Sequence, residues 1–332
     1  LLLPTYPASR EICTIGGMIA NNAGGELELT YGPINKYLKS MKVILSDGNE
    51  YIFKSITKDQ LDKKIAQKDF EGKIYSNIYD LILENEELVK KARPQTSKNS
   101  TGFDLWEVWD GKNFDLSKLI IGSQGTLGII TEAQFRLIKP KKYQVLLVIS
   151  LPDLSQLDQV IKTVLEYKPE AFECYDDQTL NLALNHAWDL SKNFKYQNRL
   201  SAYFNLLLDK RHPIPNLVLL ANFTSDSKDE ALEKATDAKQ ALTSFNLKVE
   251  IKSSAKDQEK YWLIRHKSFG LLMKYAGKNM KAASFIDDII VNPANLAQFL
   301  PKLNELIAPY KDRLVYTLAG HIGDGNFHII PL

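Results

Sequence analysis

The chain has 332 residues, with 42 Lys and Arg against 40 Asp and Glu and a formal net charge of +2. A chain of this length favours two domains over a single hydrophobic core. Because the charges nearly balance and form no long run of one sign, nucleic acid is not expected as a partner, and a small molecule is the default substrate. No apolar run reaches the roughly 20 residues that span a bilayer, so no transmembrane segment is predicted.

The two cysteines, Cys13 and Cys174, are too few and too far apart for a disulfide framework or a cysteine-rich metal centre. This usage favours a reducing compartment. We therefore predict a cytoplasmic protein, with peripheral attachment at the inner face of the membrane as the alternative.

The first feature along the chain is a glycine cluster from Thr14 to Gly25, which holds four glycines and two asparagines. Glycine lets a backbone approach a ligand closely, and successive free N–H groups in such loops can bind phosphate oxygens. The cluster is not the G-x-G-x-x-G of a dinucleotide site, so a nicotinamide cofactor is not favoured. A Gly-rich connector is the structural alternative.

The next segments are predicted as scaffold. Residues 41–54 alternate around an Asp-Gly turn and predict a hairpin. Apolar spacing from Lys58 to Arg93 predicts helix, interrupted near Gly72. Leu119 to Thr131 then forms a second glycine cluster, which we expect to be entered and left by apolar strands. Two such loops in one domain imply an extended ligand.

The second half of the chain predicts two β-α-β units joined into an antiparallel sheet with helices on one face. The expected elements are strand 145–151, helix 154–167 and strand 171–175, followed by strand 217–223, helix 228–245 and strand 247–252.

The segment from His321 to His328 places two imidazoles on either side of Gly-Asp-Gly-Asn, a turn-forming sequence. Two short strands would bring both histidines to one spot. Histidine serves both as a general base near neutral pH and as a metal ligand, so the pair is a candidate site for either task. The alternative is a structural turn with incidental histidines.

Three separated motifs, residues 13–25, 98–133 and 320–328, resemble the flavoproteins related to vanillyl-alcohol oxidase, in the branch of D-lactate dehydrogenase, the FAD-linked glycolate oxidase subunit and D-2-hydroxyglutarate dehydrogenase. The resemblance implies an α+β fold: the C-terminal part of a PCMH-type FAD-binding domain over residues 1–142, then a ferredoxin-like cap domain with an antiparallel sheet over residues 143–332. Gln124 stands where the family usually has Glu. The residues implied in FAD binding are Thr14, Gly16, Gly17, Asn22, Ala23, Gly24, Gly125, Thr126, Gly128 and Ile129.

The same resemblance implies FAD-dependent oxidation of a D-2-hydroxy acid of the D-lactate or glycolate type. Arg265 would bind the substrate carboxylate through its planar fork, although a solvated charge is the alternative. His321, His328 and Asn326 complete the implied catalytic set, and the two histidines are also the implied ligands of Zn or another divalent metal. Relatives often carry a lysine near the position of Asp287 and Asp288, and its lack favours a substrate with one carboxylate.

The electron acceptor is expected to be a quinone, a cytochrome or an iron–sulfur protein that this sequence does not encode. The family's Arg-Gly-x-Gly-Thr loop would lie before Leu1 and a Glu-His segment after Leu332, so we expect a fragment lacking both ends, which would bind FAD weakly or not at all. Two other hypotheses are a metal-dependent hydrolase that uses both histidines and a non-catalytic flavoprotein remnant.

Overall fold

The computed structural model describes residues 1–99, 101–209, 213–275, 288–310 and 316–331. The chain divides into two compact units, Leu1–Pro140 and Lys141–Leu332, called here the N-terminal and the C-terminal unit.

The N-terminal unit contains six α-helices and five strands in its described residues. They are α1 (Ile15–Ala20), α2 (Glu28–Tyr31), β1 (Leu38–Ile44), β2 (Glu50–Lys54), β3 (Ile56–Thr57), α3 (Lys58–Ile65), α4 (Phe70–Glu84), α5 (Glu86–Ala92), β4 (Asn113–Phe114), α6 (Ser117–Ile120) and β5 (Ile129–Phe135).

A three-stranded antiparallel sheet in the order β2-β1-β5 organises the N-terminal unit. Val43 of β1 lies opposite Tyr51 on one side and Ile130 on the other. The predicted hairpin over residues 41–54 is confirmed. The predicted helical region divides into α3, α4 and α5, and its first break precedes Gly72, because the Asp69 side chain accepts a hydrogen bond from the Gly72 N–H at 2.8 Å and caps α4.

The prediction that a strand enters the second glycine cluster is wrong. Residues 117–120 form the short helix α6 instead. An Asp115 side-chain oxygen accepts a hydrogen bond from the Ser117 N–H at 3.0 Å, and the Ile121 N–H donates to the Ser117 carbonyl. A local side-chain hydrogen bond therefore outweighs the strand preference of the apolar run. The strand that leaves the cluster is present as β5.

The C-terminal unit contains seven strands and seven α-helices in its described residues. They are β6 (Tyr143–Leu151), α7 (Leu157–Glu166), β7 (Ala171–Asp176), α8 (Asp177–Asn185), α9 (Ala187–Leu190), α10 (Arg199–Asp209), β8 (Leu217–Ser225), α11 (Lys228–Ala241), β9 (Lys248–Lys252), α12 (Ala255–Tyr275), β10 (Ile289–Ile290), α13 (Leu296–Ile307), β11 (Tyr316–His321) and β12 (Asn326–Pro331).

These strands form one seven-stranded sheet in the order β10-β12-β11-β7-β8-β6-β9, and every described pairing is antiparallel. The four strands of the two predicted β-α-β units adjoin in the order β7-β8-β6-β9. The predicted antiparallel sheet is confirmed. The histidine hairpin, β11 and β12, extends this sheet beyond β7.

The prediction of helices on one face is wrong, because both faces of the sheet are covered. On one face Leu146 and Val148 of β6 pack in a cluster with Leu184 of α8 and Ile264 of α12. Leu147, which points to the opposite face, is also fully buried, and α11 lies against β6 and β8. The strands are therefore apolar on both sides, as expected for a sheet between two helical layers.

Candidate functional site

The histidine hairpin forms as predicted. His321 ends β11, a single 3₁₀ turn follows, and β12 returns so that Ala319 lies opposite His328. The turn closes at Gly325 with a φ of 71°, and a Cβ at that position would lie 1.7 Å from the Val291 carbonyl oxygen, so only glycine fits. The two imidazole rings meet edge to face with centroids 5.3 Å apart.

A buried carboxylate, Glu173, connects the hairpin to α12. Glu173 lies on β7 and is 1% exposed. Its Oε1 is 2.6 Å from Nδ1 of His321, and its Oε2 accepts hydrogen bonds from Nε and Nη2 of Arg265 at 2.9 and 2.8 Å. Three elements that are far apart in sequence thus place an acid, a base and a guanidinium in one hydrogen-bonded chain.

Arg265 is therefore not a solvated charge, because it is 8% exposed and paired with Glu173. The Nε and Nη2 groups that would form a bidentate fork on a substrate carboxylate already donate to Glu173. Binding of a substrate carboxylate by Arg265 stays a prediction, and it requires the guanidinium to use another edge.

The second histidine also faces a carboxylate. Nδ1 of His328 lies 3.4 Å from Oδ1 of Asp288. The side-chain N–H groups of Asn326 donate to the same Asp288 oxygen at 2.6 Å and to the Ile289 carbonyl at 3.1 Å. Asn326 therefore holds Asp288 beside His328. Asp287, which the sequence pairs with Asp288, lies outside the described residues.

Asp176 fixes the strand that carries His321. One Asp176 oxygen accepts from the Thr179 N–H at 2.8 Å and caps α8, while the other accepts from the Leu318 N–H of β11 at 2.9 Å. Burial raises the pKa of Asp176 to about 7. The carboxyl of Asp176 therefore joins β7 to β11 three residues before His321.

In the N-terminal unit the two glycine clusters lie side by side. Backbone N–H groups of Gly122 and Gln124 donate to the carbonyls of Ile19 and Ala20, at the end of α1. Thr14 caps α1 by accepting a hydrogen bond from the Gly17 N–H. The first cluster thus contains helix α1, and the second cluster packs against the C-terminal end of that helix.

The predicted cofactor residues differ in exposure. Most are accessible at the surface of the N-terminal unit to some degree: Thr14, Gly16, Gly17, Gly125, Thr126, Gly128 and Ile129, the last of these 68% exposed. Asn22, Ala23 and Gly24 are buried. The structure thus leaves seven predicted residues of these two adjacent clusters accessible, called here the cofactor surface, and buries the other three.

Two buried polar atoms beside this surface have no hydrogen-bond partner among the described residues, Oδ1 of Asn22 and Oγ of Ser123. Leaving such an atom unsatisfied costs roughly 1–3 kcal/mol, so a ligand that supplies hydrogen-bonding groups would be favoured here. Accessible backbone, small side chains and unsatisfied polar atoms together fit the phosphate and ring system of a large cofactor. Ser123 was not among the predicted cofactor residues, although it lies within the second cluster.

Comparison with known families identifies the class of protein. Residues 140–332 match the family model for FAD linked oxidases, C-terminal domain, and residues 1–53 match the model for an FAD binding domain. The chain belongs to the FAD-linked oxidases. Glu173, Arg265 and both hairpin histidines lie within the part matched to the C-terminal domain.

Curated relatives of this FAD-linked oxidase have modest identity to it. It is 25% identical to the D-2-hydroxyglutarate dehydrogenase of Pseudomonas putida, covering 96% of this chain and 31% of the relative. It is 25% identical to the D-lactate dehydrogenase of Archaeoglobus fulgidus, covering 100% of this chain and 56% of the relative. It is 24% identical to the glycolate oxidase subunit GlcD of Bacillus subtilis, covering 99% and 54%. The chain thus spans about a third to about half the length of these relatives.

Solved structures show the same fold. A p-cresol methylhydroxylase structure has a TM-score of 0.62 at 12% identity and covers 99% of this chain and 57% of its own. An alkyldihydroxyacetonephosphate synthase structure has a TM-score of 0.60 at 15% identity, covering 99% and 51%. The predicted α+β fold class is confirmed.

A metal at the hairpin of this FAD-linked oxidase stays a prediction. The described residues contain no group of three His, Cys, Asp or Glu side chains placed to hold a metal ion. His321 and His328 would supply two ligands, fewer than the three protein ligands typical of a catalytic zinc site. Within the same described ranges, no helix is both long and apolar enough to cross a bilayer.

Proposed function

We propose that this FAD-linked oxidase oxidises a D-2-hydroxy acid to the 2-oxo acid. The observation that carries the proposal is the hairpin of the C-terminal unit, where two imidazoles 5.3 Å apart each have Nδ1 near a carboxylate. Such imidazoles suit removal of a hydroxyl proton near neutral pH. Relatives named D-2-hydroxyglutarate dehydrogenase, D-lactate dehydrogenase and glycolate oxidase subunit support this substrate class.

Oxidation of a 2-hydroxy acid removes the hydroxyl proton and a hydride from C2, and it converts the C–O single bond into a carbonyl. FAD, when bound, supplies the acceptor for the hydride. The protein's part is to receive the proton, and we assign that task to His321, with His328 beside it. Asn326 contributes by holding Asp288 against His328.

The cofactor-binding surface would be the one formed by the two glycine clusters. We propose that the accessible residues Thr14, Gly16, Gly17, Gly125, Thr126, Gly128 and Ile129 contact FAD directly. Asn22 and Ser123 would donate to or accept from the cofactor through their unsatisfied side-chain atoms. Ala23 and Gly24, which are buried, would shape this surface from below.

The substrate is proposed to be of the D-lactate or glycolate type, with one carboxylate. Arg265 is the one residue that we propose to bind a substrate carboxylate. Its guanidinium already pairs with Glu173, so it would have to bind Glu173 and one substrate carboxylate at the same time. D-Lactate or glycolate should therefore be turned over with a higher kcat/KM than D-2-hydroxyglutarate. The reverse order would contradict the proposed substrate type.

The electron acceptor is proposed to be a quinone, a cytochrome or an iron–sulfur protein. The two cysteines of the chain, Cys13 and the buried Cys174, are fewer than the four ligands of an ordinary iron–sulfur cluster. The protein is proposed to act in the cytoplasm or at the inner face of the membrane.

The test is dye-coupled turnover of the full-length, flavin-loaded protein with D-lactate, L-lactate, glycolate and D-2-hydroxyglutarate. We expect turnover of a D-2-hydroxy acid, and a loss of about 10²-fold or more in kcat for the double variant His321→Ala, His328→Ala with flavin retained. Unchanged turnover in the double variant would show that the hairpin is a structural turn without a catalytic role.

A further inference from the structure

We propose that the buried ion pair of Glu28 and Lys98 controls how tightly the cofactor surface binds an anionic cofactor. Lys98 offsets a carboxylate charge that lies against the first glycine cluster. The inference rests on the FAD contacts proposed for that cluster and adds two positioning residues to them. It does not involve the histidine hairpin of the C-terminal unit.

Glu28 lies against the backbone of the first glycine cluster. Its N–H donates to the Gly25 carbonyl at 2.9 Å, in a turn that brings the side chain back toward the cluster. A Cβ on Gly24 would lie 1.6 Å from Oε2 and 2.3 Å from Cδ of Glu28. The carboxylate thus occupies the space that a side chain at position 24 would need. Gly24 is one of the buried residues that the family resemblance implies in FAD binding.

Lys98 brings a cation to the same carboxylate oxygen. Its Nζ lies 3.7 Å from Oε2 of Glu28, and the two side chains are 11% and 4% exposed. The Thr96 hydroxyl donates to the Lys98 carbonyl at 2.8 Å, and the Asn99 side-chain amide donates to Asp104 at 2.9 Å. The segment around Lys98 is therefore constrained by its own hydrogen bonds. Because Lys98 begins the second motif of the sequence, the ion pair joins that motif to the first glycine cluster.

Charge is the reason for assigning this pair a role in binding. The pyrophosphate of FAD is anionic, and a buried carboxylate is a charge of the same sign with little water to screen it. Glu28 by itself would therefore weaken the binding of an anion at the glycine cluster, and the Lys98 ammonium offsets this effect at short range. A buried ion pair is often no more stabilising than apolar side chains of similar volume, so stability alone does not account for the pair.

The alternative is a purely structural ion pair, and the two roles predict different patterns. If charge controls binding, loss of Lys98 should weaken the binding of an anionic flavin and loss of the Glu28 charge should strengthen it. Loss of both charges should nearly restore it. A packing effect would weaken binding in all three variants, because each one changes a buried contact. It would also act equally on charged and uncharged flavins.

The experiment is titration of the full-length protein, after removal of its flavin, with FAD and with riboflavin at pH 8, followed by flavin fluorescence. Riboflavin has the same ring system and no phosphate. Lys98→Met should raise the Kd for FAD about 10-fold or more and the Kd for riboflavin less than about 2-fold. Glu28→Gln, which keeps the shape of the side chain against Gly24, should lower the Kd for FAD. The double variant should return to within about 3-fold of the wild type.

Lys64→Met is the matched control. Lys64 pairs with Glu71 between α3 and α4 of the same unit, with side chains 30% and 13% exposed, and neither residue belongs to a glycine cluster. Its Kd for FAD should equal that of the wild type. Urea unfolding of the flavin-free proteins measures the stability of each variant separately, so Kd values are compared only between folded proteins.

Two results for Lys98→Met would overturn the inference: FAD binding equal to that of the wild type, or equal losses of affinity for FAD and riboflavin. A Glu28→Gln variant that binds FAD more weakly than the wild type would overturn it as well. The result for Glu28→Gln decides the question if Lys98→Met does not fold.

The affinity for FAD is measured without substrate, so the two proposals can fail separately. The predicted pattern of Kd values in a protein that oxidises no D-2-hydroxy acid would contradict the proposed oxidation and support the role of the ion pair. Oxidation of such an acid by a protein whose Kd for FAD is independent of these two charges would do the reverse.

Discussion

The two candidate binding regions of this molecule differ in the chemical groups that form them. The cofactor surface of the N-terminal unit consists of backbone groups and small side chains from two short stretches, and residues such as Gly125 and Thr126 are exposed. The centre of the hairpin site in the C-terminal unit consists of ionisable side chains that are almost fully buried, with Glu173 at 1%, Arg265 at 8% and His321 at 9% exposure. Arg265 and Glu173 are 92 residues apart, and His321 and Glu173 are 148 apart.

This difference determines what a substitution should do. A backbone-built surface depends on local conformation, so a change there should affect ligand binding more than stability. A site built from buried charges is part of the core, and removing one partner leaves another charge without compensation. Stability and function should therefore be lost together in the C-terminal unit and separately in the N-terminal unit.

The largest expected effect is that of Arg265→Met. It leaves the Glu173 carboxylate buried without its cation, and breaking a buried pair in this way costs about 3–5 kcal/mol of unfolding free energy. Lys42→Met is the control in the N-terminal unit, because the Lys42–Glu132 pair is exposed to solvent and its loss should cost far less. Urea unfolding followed by circular dichroism measures both, and equal costs would contradict the comparison.

The buried carboxyl of Asp176 should make stability depend on pH. Its folded pKa of about 7 lies above the usual value of 3.8, so the folded state binds the proton more tightly than the unfolded state does. This contribution is fully present below about pH 4 and is lost as the pH rises to about 7. Each unit of pKa difference corresponds to about 1.4 kcal/mol.

The measurement for Asp176 is the unfolding free energy between pH 4 and 8 in wild type and in Asp176→Asn. The slope of stability against pH should be smaller in the variant, whatever its absolute stability. Identical slopes would show that Asp176 does not titrate in this range.

Gly320→Ala should destabilise the hairpin by about 1–3 kcal/mol or more. A Cβ on Gly320 would lie 2.2 Å from the Asn326 carbonyl oxygen and 2.8 Å from the Phe327 Cα, both backbone atoms that cannot rotate away. Gly270→Ala is the matched control, since nothing lies within 4 Å of its Cβ position in α12. That change should stabilise the protein by about 0.5–1 kcal/mol. Thermal unfolding should shift in opposite directions for the two variants.

For Gly125→Val the expected loss of stability is about 1–2 kcal/mol, from its φ of 75° alone, because nothing lies within 4 Å of a Cβ there. Flavin retention, measured as the ratio of visible to protein absorbance, should nevertheless fall sharply. Gly48→Val is the control, with a φ of 81° and equally open space in the β1–β2 turn. Equal flavin loss in both variants would show that Gly125 has no specific contact with the cofactor.

Sequence reasoning identified the regions that are continuous in the chain. Both glycine clusters, the 41–54 hairpin and the histidine hairpin each lie within a short stretch, so composition and spacing suffice to predict them. Glu173 was missed because it lies within an apolar strand, 171–175, and the single charge in that strand was the available signal. Its partners come from α12 and β11, and only the sheet order β11-β7-β8 brings them together.

The structure also corrected predictions that depend on tertiary contacts. Helices cover both faces of the large sheet because α8 and α12 pack where the predicted β-α-β units leave one face open. The helix over residues 117–120 is instead accompanied by a local contact, the hydrogen bond from the Ser117 N–H to Asp115, which no hydrophobic pattern reveals. Arg265 forms an ion pair within the protein, because Glu173 lies opposite it on β7.

The most direct test of the proposed function is the anaerobic visible spectrum of the full-length, flavin-loaded protein after addition of substrate. D-Lactate or glycolate should bleach the flavin absorbance within the time of turnover, and L-lactate should not. His321→Ala should keep its flavin and bleach at least about 10²-fold more slowly. A flavin spectrum left unchanged by every D-2-hydroxy acid tested would contradict the account.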